Sequence, residues 1–122
     1  VRWSAETEPE DLAPIDIGIM PLPDNEWSRG KCGFKGLQYM GMGKAVVLSR
    51  VGVNRSIVED GVSGFLAGSA EEWMARLRML VADAELRRRL GEAARRTVEQ
   101  RYSTVVWRDR YLEIFNALIQ RT

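Results

Sequence analysis

Five residues in one short stretch have the types and spacing to hold an anion. They are Gly30, Lys31, Gly33, Lys35 and Gly36, within SRGKCGFKGLQYMGMGKAVVLS, Ser28 to Ser49. Glycines let a backbone approach a ligand closely, and lysines bring positive charge. A helix starting near Gly33 would aim its unpaired N–H groups and the positive end of its dipole at the same place, where anions bind readily. The chemistry implied is recognition of a diphosphate by the amides of Gly33, Phe34 and Lys35, with Lys31 or Lys35 adding charge. The plainer alternative is a flexible loop with two solvated lysines. Cys32 reads as a small buried apolar residue rather than a nucleophile, because the sequence contains no histidine to activate it.

The composition narrows the field. The 122 residues are 45% apolar and 29% charged, enough for one domain with a real core. Eighteen basic residues face 17 acidic ones, for a net charge of +1, so nucleic acid is not the expected partner. The absence of histidine removes the commonest general base and the commonest metal ligand. One cysteine permits no internal disulfide, in keeping with a reducing cytoplasm. No run of about 18 apolar residues reads as a membrane span. The chain opens at Val1 on VRW, read as part of a strand, and the expectation is a piece cut from a longer protein.

The elements that must position the glycine-lysine turn alternate along the chain. DIGIMPL, Asp16 to Leu22, reads as a buried strand ended by prolines. GFKGLQYMGMG has Phe34, Leu37, Met40 and Met42 near helical spacing and closes on Gly43. AVVLS, Ala45 to Ser49, is a strand covered on both faces. EDGVSG is a turn, with positive φ expected at Gly61 and Gly64. FLA, Phe65 to Ala67, is a short strand. Ser69 and Glu72 fit a capping box for a helix with Trp73, Leu77, Leu80 and Val81 on one face. A second helix from Ala84 aligns Leu86, Leu90, Ala93, Ala94 and Val98, with Arg87–Arg89 and Arg95–Arg96 mostly on a solvated side. A third starts after Ser103, with Trp107, Tyr111, Ile114, Phe115 and Leu118 on one face and Val105, Leu112 and Ile119 on another. That is more apolar surface than one-sided packing uses, so a second partner is expected, either a domain or a chain.

Strand, helix, strand, strand, then helices is an α/β pattern with a parallel sheet. Ligands of such sheets bind at the carboxyl ends of the strands. The loop from Pro23 to Lys35 and the loop RVGVN, with Gly52, Val53 and Asn54, are both expected to line that crevice.

The order of DIGIMPL, GKCGFKGLQYMGMGKAVVLS, GVN, SIVEDGVSGFLA and LRRRLGEAARRTVEQRYS, from about Asp16 to Ser103, resembles the nucleotide-sugar-binding half of group 1 (family 4) retaining glycosyltransferases. The resemblance implies part of the C-terminal domain of a GT-B enzyme: a Rossmann-like, three-layer α/β domain over residues 1–102 and a helix over 103–122 that crosses back to an N-terminal domain. It implies transfer of a sugar from a nucleoside diphosphate sugar to an acceptor with retention, needing neither cofactor nor metal. It also implies a role in cell-envelope polysaccharide synthesis, in the cytoplasm or at the inner face of the membrane. Gln38 falls where the family has a ribose-binding glutamate, Gly30 where it has a sugar-contacting one, and Ser56 where it has a third. These departures leave a non-catalytic nucleotide-binding module as the main alternative. A response-regulator-like domain would need an acidic cluster around Asp24, and a plain interaction domain would bind no diphosphate. The two-faced last helix and an open sheet edge lead us to expect a homodimer at high concentration.

Overall fold

Three strands, β1 (Ile17–Met20), β2 (Ala45–Ser49) and β3 (Phe65–Ala67), form a parallel sheet in the order β1-β2-β3. The structure is a computed structural model, and it describes residues 4–120. The strand expected on VRW lies outside the described residues. Ile17 stands opposite Ala45, and Val47 opposite Phe65. All five residues of β2 are buried, as its continuous apolar run requires.

The two-residue period of β2 sends its side chains into two cores. Val46 and Leu48 join Met40, Ile57, Val58, Leu66 and Ala94 on one face. Ala45 and Val47 join Phe65, Ala67, Leu80 and Leu90 on the other. Helix α3 (Phe34–Gly41) supplies Leu37 and Met40 to the first core, and α5 (Ala70–Ala82) supplies Trp73, Leu77 and Leu80 to the second. The result is the three-layer α/β arrangement expected. Helix α6 (Ala84–Arg101) serves both cores, with Leu90 in one and Ala94 in the other. Between them, Gly91 lies against the backbone leading into β2: a Cβ there would sit 2.1 Å from the Gly43 carbonyl oxygen. The sequence pattern indicated the Leu86–Val98 face but not this buried glycine.

Side-chain oxygens start the long helices, as expected at Ser69 and Ser103 and, unread in the sequence, at Asp83. Ser69 accepts from Glu72 N–H for α5, Asp83 from Leu86 N–H for α6, and Ser103 from Val106 N–H for α7 (Thr104–Ile119). The capping box is only half formed, because the Glu72 carboxylate passes over Ser69 and accepts from Gly68 N–H at 2.6 Å. Arg50 holds the same carboxylate at 3.3 Å. Gly61 and Gly64 have positive φ as expected, and Gly43 turns left-handed just beyond α3.

Several expectations need correction. Val81 is 71% exposed, since it lies at the rim of the α5 stripe rather than on it. Arg87 is not simply solvated: its guanidinium donates to the carbonyls of Leu80 and Val81 and so closes the end of α5. Three one-turn helices stand where loops were expected or nothing was read: α1 (Glu8–Leu12), α2 (Glu26–Arg29) and α4 (Asn54–Ile57). No residue of α7 is buried. Among the described residues, no helix is long and apolar enough to cross a membrane.

Candidate functional site

The carboxyl ends of the strands are Met20, Ser49 and Ala67, and the two loops of interest meet there. Leu22 N–H donates to Ser49 Oγ at 2.7 Å, which ties the chain leaving β1 to the end of β2. Asn25 then caps α2 by accepting from Ser28 N–H, and Asp24 accepts from Arg29 Nε at 2.7 Å. The bond to Arg29 lowers the Asp24 carboxyl below its ordinary value. Asp24 is thus committed to an ion pair rather than seeding an acidic cluster.

The loops interlock through two glycines. Gly52, at φ 54°, packs under α2: a Cβ there would sit 2.7 Å from the Arg29 carbonyl. Gly33, at φ 71°, faces α4, with Ile57 Cδ1 2.4 Å and Asn54 Oδ1 3.0 Å from where its Cβ would be. The two loops therefore line one crevice. Val53 is 36% exposed on its rim. Asn54 is not available to a ligand through its amide nitrogen; it is 1% exposed and donates from Nδ2 to the Ser49 carbonyl at 3.0 Å.

Gly33 is the N-cap of α3, and no side chain caps this helix. The helical ladder opens with Leu37 N–H donating to the Gly33 carbonyl at 3.1 Å, so the amides of Phe34, Lys35 and Gly36 have no partner within the helix. A hollow of about 490 Å³ lies against this end, lined by Met20 and residues 30–35. Lys31 is exposed beside it. Lys35 is not a free cation, since its Nζ pairs with Glu8 Oε1 at 2.9 Å. Phe34 is 63% exposed. Cys32, expected to be buried, is exposed, because the turn between α2 and α3 lies outside both cores.

Gln38 stands one turn into α3, and its Oε1 is buried with no hydrogen-bond partner. A buried acceptor left unpaired is costly, and Gln38 is not among the residues that line the hollow at the amino end of α3. Gly30 and Ser56 are exposed. A second hollow, of about 260 Å³, lies where all three strand ends converge, between Leu22, Ser49, Arg50, Arg55, Ala67 and Trp73. The loop RVGVN expected here begins with Arg50, which the sequence did not single out, and Arg55, just beyond it, went unread. Among the described residues, no three His, Cys, Asp or Glu side chains gather as metal ligands.

A family model described as glycosyl transferases group 1 matches residues 4–83. Among solved structures, the chain is similar to the C-terminal domain of a glycosyl transferase group 1 family protein (LpcC) from Francisella tularensis. The TM-score is 0.73 at 21% identity, over 85% of this chain and 52% of that one. It is also similar to Anabaena Alr3699/HepE in complex with UDP, with a TM-score of 0.72 at 22% identity over 90% of this chain and 30% of that one. HepE has been crystallised with UDP-glucose as well. Sucrose-phosphate synthase from Thermosynechococcus elongatus gives 0.71 at 18% identity, over 88% and 26%. The chain spans about half of the first of these proteins and less than a third of the other two. Likeness at such identities is a likeness of fold. No curated protein matches the chain.

Proposed function

The chain belongs to the group 1 glycosyl transferases, and on that premise we propose that it is the donor-binding part of an enzyme that moves a sugar from a nucleoside diphosphate sugar to an acceptor with retention. The observation that carries this reading is the uncapped amino end of α3, opening at Gly33 onto the hollow of about 490 Å³. Breaking the bond between the anomeric carbon and its phosphate oxygen leaves negative charge on the diphosphate. Amides at Phe34, Lys35 and Gly36 are fixed in place to receive it, which is electrostatic stabilisation without reorganisation. Lys31 adds charge from the rim. Lys35 contributes once it exchanges Glu8 for phosphate. Gln38, where the family has a ribose-binding glutamate, is assigned to the ribose. The departing phosphate takes the acceptor's proton, so no side-chain nucleophile is required.

HepE, a neighbour in fold, has been crystallised with UDP and with UDP-glucose, and this supports a nucleoside diphosphate as the ligand. The unburied α7 supports the docking of a further, N-terminal domain. The single, exposed Cys32 fits an enzyme of the cytoplasm. The chain alone is expected to bind but not to transfer. Titration with UDP and GDP, followed by calorimetry, tests the site. One of them should bind, and Lys31→Ala should weaken it by about 1–3 kcal/mol, the range for hydrogen bonds to charged groups. Binding of neither diphosphate would refute the donor site. Turnover by the chain alone with any nucleotide sugar and acceptor would refute its dependence on a second domain.

The alternative of a non-catalytic nucleotide-binding module is favoured by Gly30, Gln38 and Ser56 at the three positions where the family has glutamates. It predicts diphosphate binding with no transfer even in the full-length protein.

A further inference from the structure

Helix α1 turns an acid toward the protein where an amphipathic helix carries an apolar anchor. Its half-buried residues are Glu8 and, one turn on, Leu12, with Ile15 following just beyond the helix. The Glu8 side chain is only 21% exposed. No residue of α1 is buried, and no side chain caps its amino end. The Thr7 hydroxyl donates instead to the Asp11 carboxylate at 3.0 Å. Five residues do not hold a helix in water by themselves, so α1 depends on what ties it down.

Two lysines near either end of α3 tie it. Lys35 Nζ pairs with Glu8 Oε1 at 2.9 Å, and Lys44 Nζ donates to the Ala13 carbonyl at 2.6 Å. The two ties stand in different places. Lys35 lines the hollow of about 490 Å³ at the amino end of α3, and Lys44 does not. The first tie therefore lies within the proposed diphosphate site. The Glu8 carboxylate offsets the charge of Lys35 there and repels an incoming anion. A diphosphate carries more charge than one carboxylate, and it also gains the free amides at the start of α3. It has the means to take Lys35 from Glu8.

We propose that α1 is a latch on the donor site. Glu8 and a diphosphate compete for the Lys35 ammonium, and the diphosphate that wins it frees the first turn of α1, leaving Lys44 as the anchor at the other end. The proposal rests on the donor-site reading above and adds its regulation. Coupling of this kind is reciprocal, so whatever draws α1 away from Lys35 also tightens diphosphate binding.

Amide exchange measured by NMR on the chain reads the latch at Asp11, whose N–H closes α1 on the Thr7 carbonyl at 2.9 Å. The probes are UDP, GDP, inorganic pyrophosphate and uridine at constant ionic strength. With each diphosphate that binds, Asp11 should exchange several-fold faster, while Leu37 N–H inside α3 should not. Uridine should leave Asp11 unchanged. Glu8→Gln should bind the diphosphate about threefold more tightly, the scale of one partly exposed ion pair, and its Asp11 should exchange fast with or without ligand. The exchange measurement on the native chain stands without the variant. Binding that leaves Asp11 unchanged or slower would overturn the latch and leave the donor site standing. So would equal or weaker binding by Glu8→Gln, or faster exchange with uridine. Binding by Glu8→Gln alone would support the latch, since Glu8 would then be what closes the site. Binding of no diphosphate by either chain would overturn the latch and the donor site together.

Discussion

Gly33 meets two demands that no other residue type satisfies together. Its φ of 71° is left-handed, and Ile57 Cδ1 occupies the space a side chain would need. Gly33→Ala should cost about 1–2 kcal/mol from the backbone alone, and more from displacing Ile57. Urea denaturation should show the loss as a lower midpoint, and UDP binding should weaken with it as the amino end of α3 shifts. Asn54→Ala removes one of two donors to the Ser49 carbonyl, which keeps the Val51 N–H at 2.8 Å, and should cost about 0.5–1.5 kcal/mol of stability, the range of one hydrogen bond. At this scale the sequence was partly legible. The glycines and lysines of the turn marked where a crevice would form, because each of those residue types has few other uses in such a run. The partner of Lys35 was not legible, since Glu8 is 27 residues away in sequence.

Elements were legible where a local signal repeats. β2 and β3 match their expected limits, and α5, α6 and α7 begin where Ser69, Asp83 and Ser103 supply a capping oxygen. The one-turn helices α1, α2 and α4 were not, because four or five residues carry no helical period. The start of α5 makes a pH prediction. The Glu72 carboxyl is held below its ordinary value of 4.5, first by the Gly68 N–H and then by Arg50. A lowered carboxyl stabilises the fold above the unfolded value and loses that contribution as pH falls through the folded one. The melting temperature of Glu72→Ala should therefore lie below that of the native chain at neutral pH, and the gap should close on acidification below 4.5. A gap that persists at low pH would assign the effect to contacts of the Glu72 side chain that do not depend on its charge, since helix propensity favours alanine. At the other end of α5, Arg87→Ala frees two carbonyls and should cost about 1 kcal/mol, read as a shift in the urea midpoint.

At the scale of the molecule, α7 presents Trp107, Tyr111, Phe115 and Leu118 to solvent, each more than 40% exposed. A stripe of that size associates, and the expected outcome is a concentration-dependent dimer in sedimentation. Replacing Phe115 and Leu118 with serine should return it to monomer, while Trp107 keeps its indole N–H bond to the Arg101 carbonyl. A monomer at high concentration in the native chain would refute this. Helix α6 has a different consequence, one that concerns the order of events during synthesis. Leu90 and Ala94 complete the two cores, and they emerge from the ribosome after every strand has been made. Until then β2 can pair with its neighbours but neither face is sealed. A nascent chain halted before Gly91 should remain protease-sensitive along its whole length, whereas one released past Val98 should close both layers in a single step.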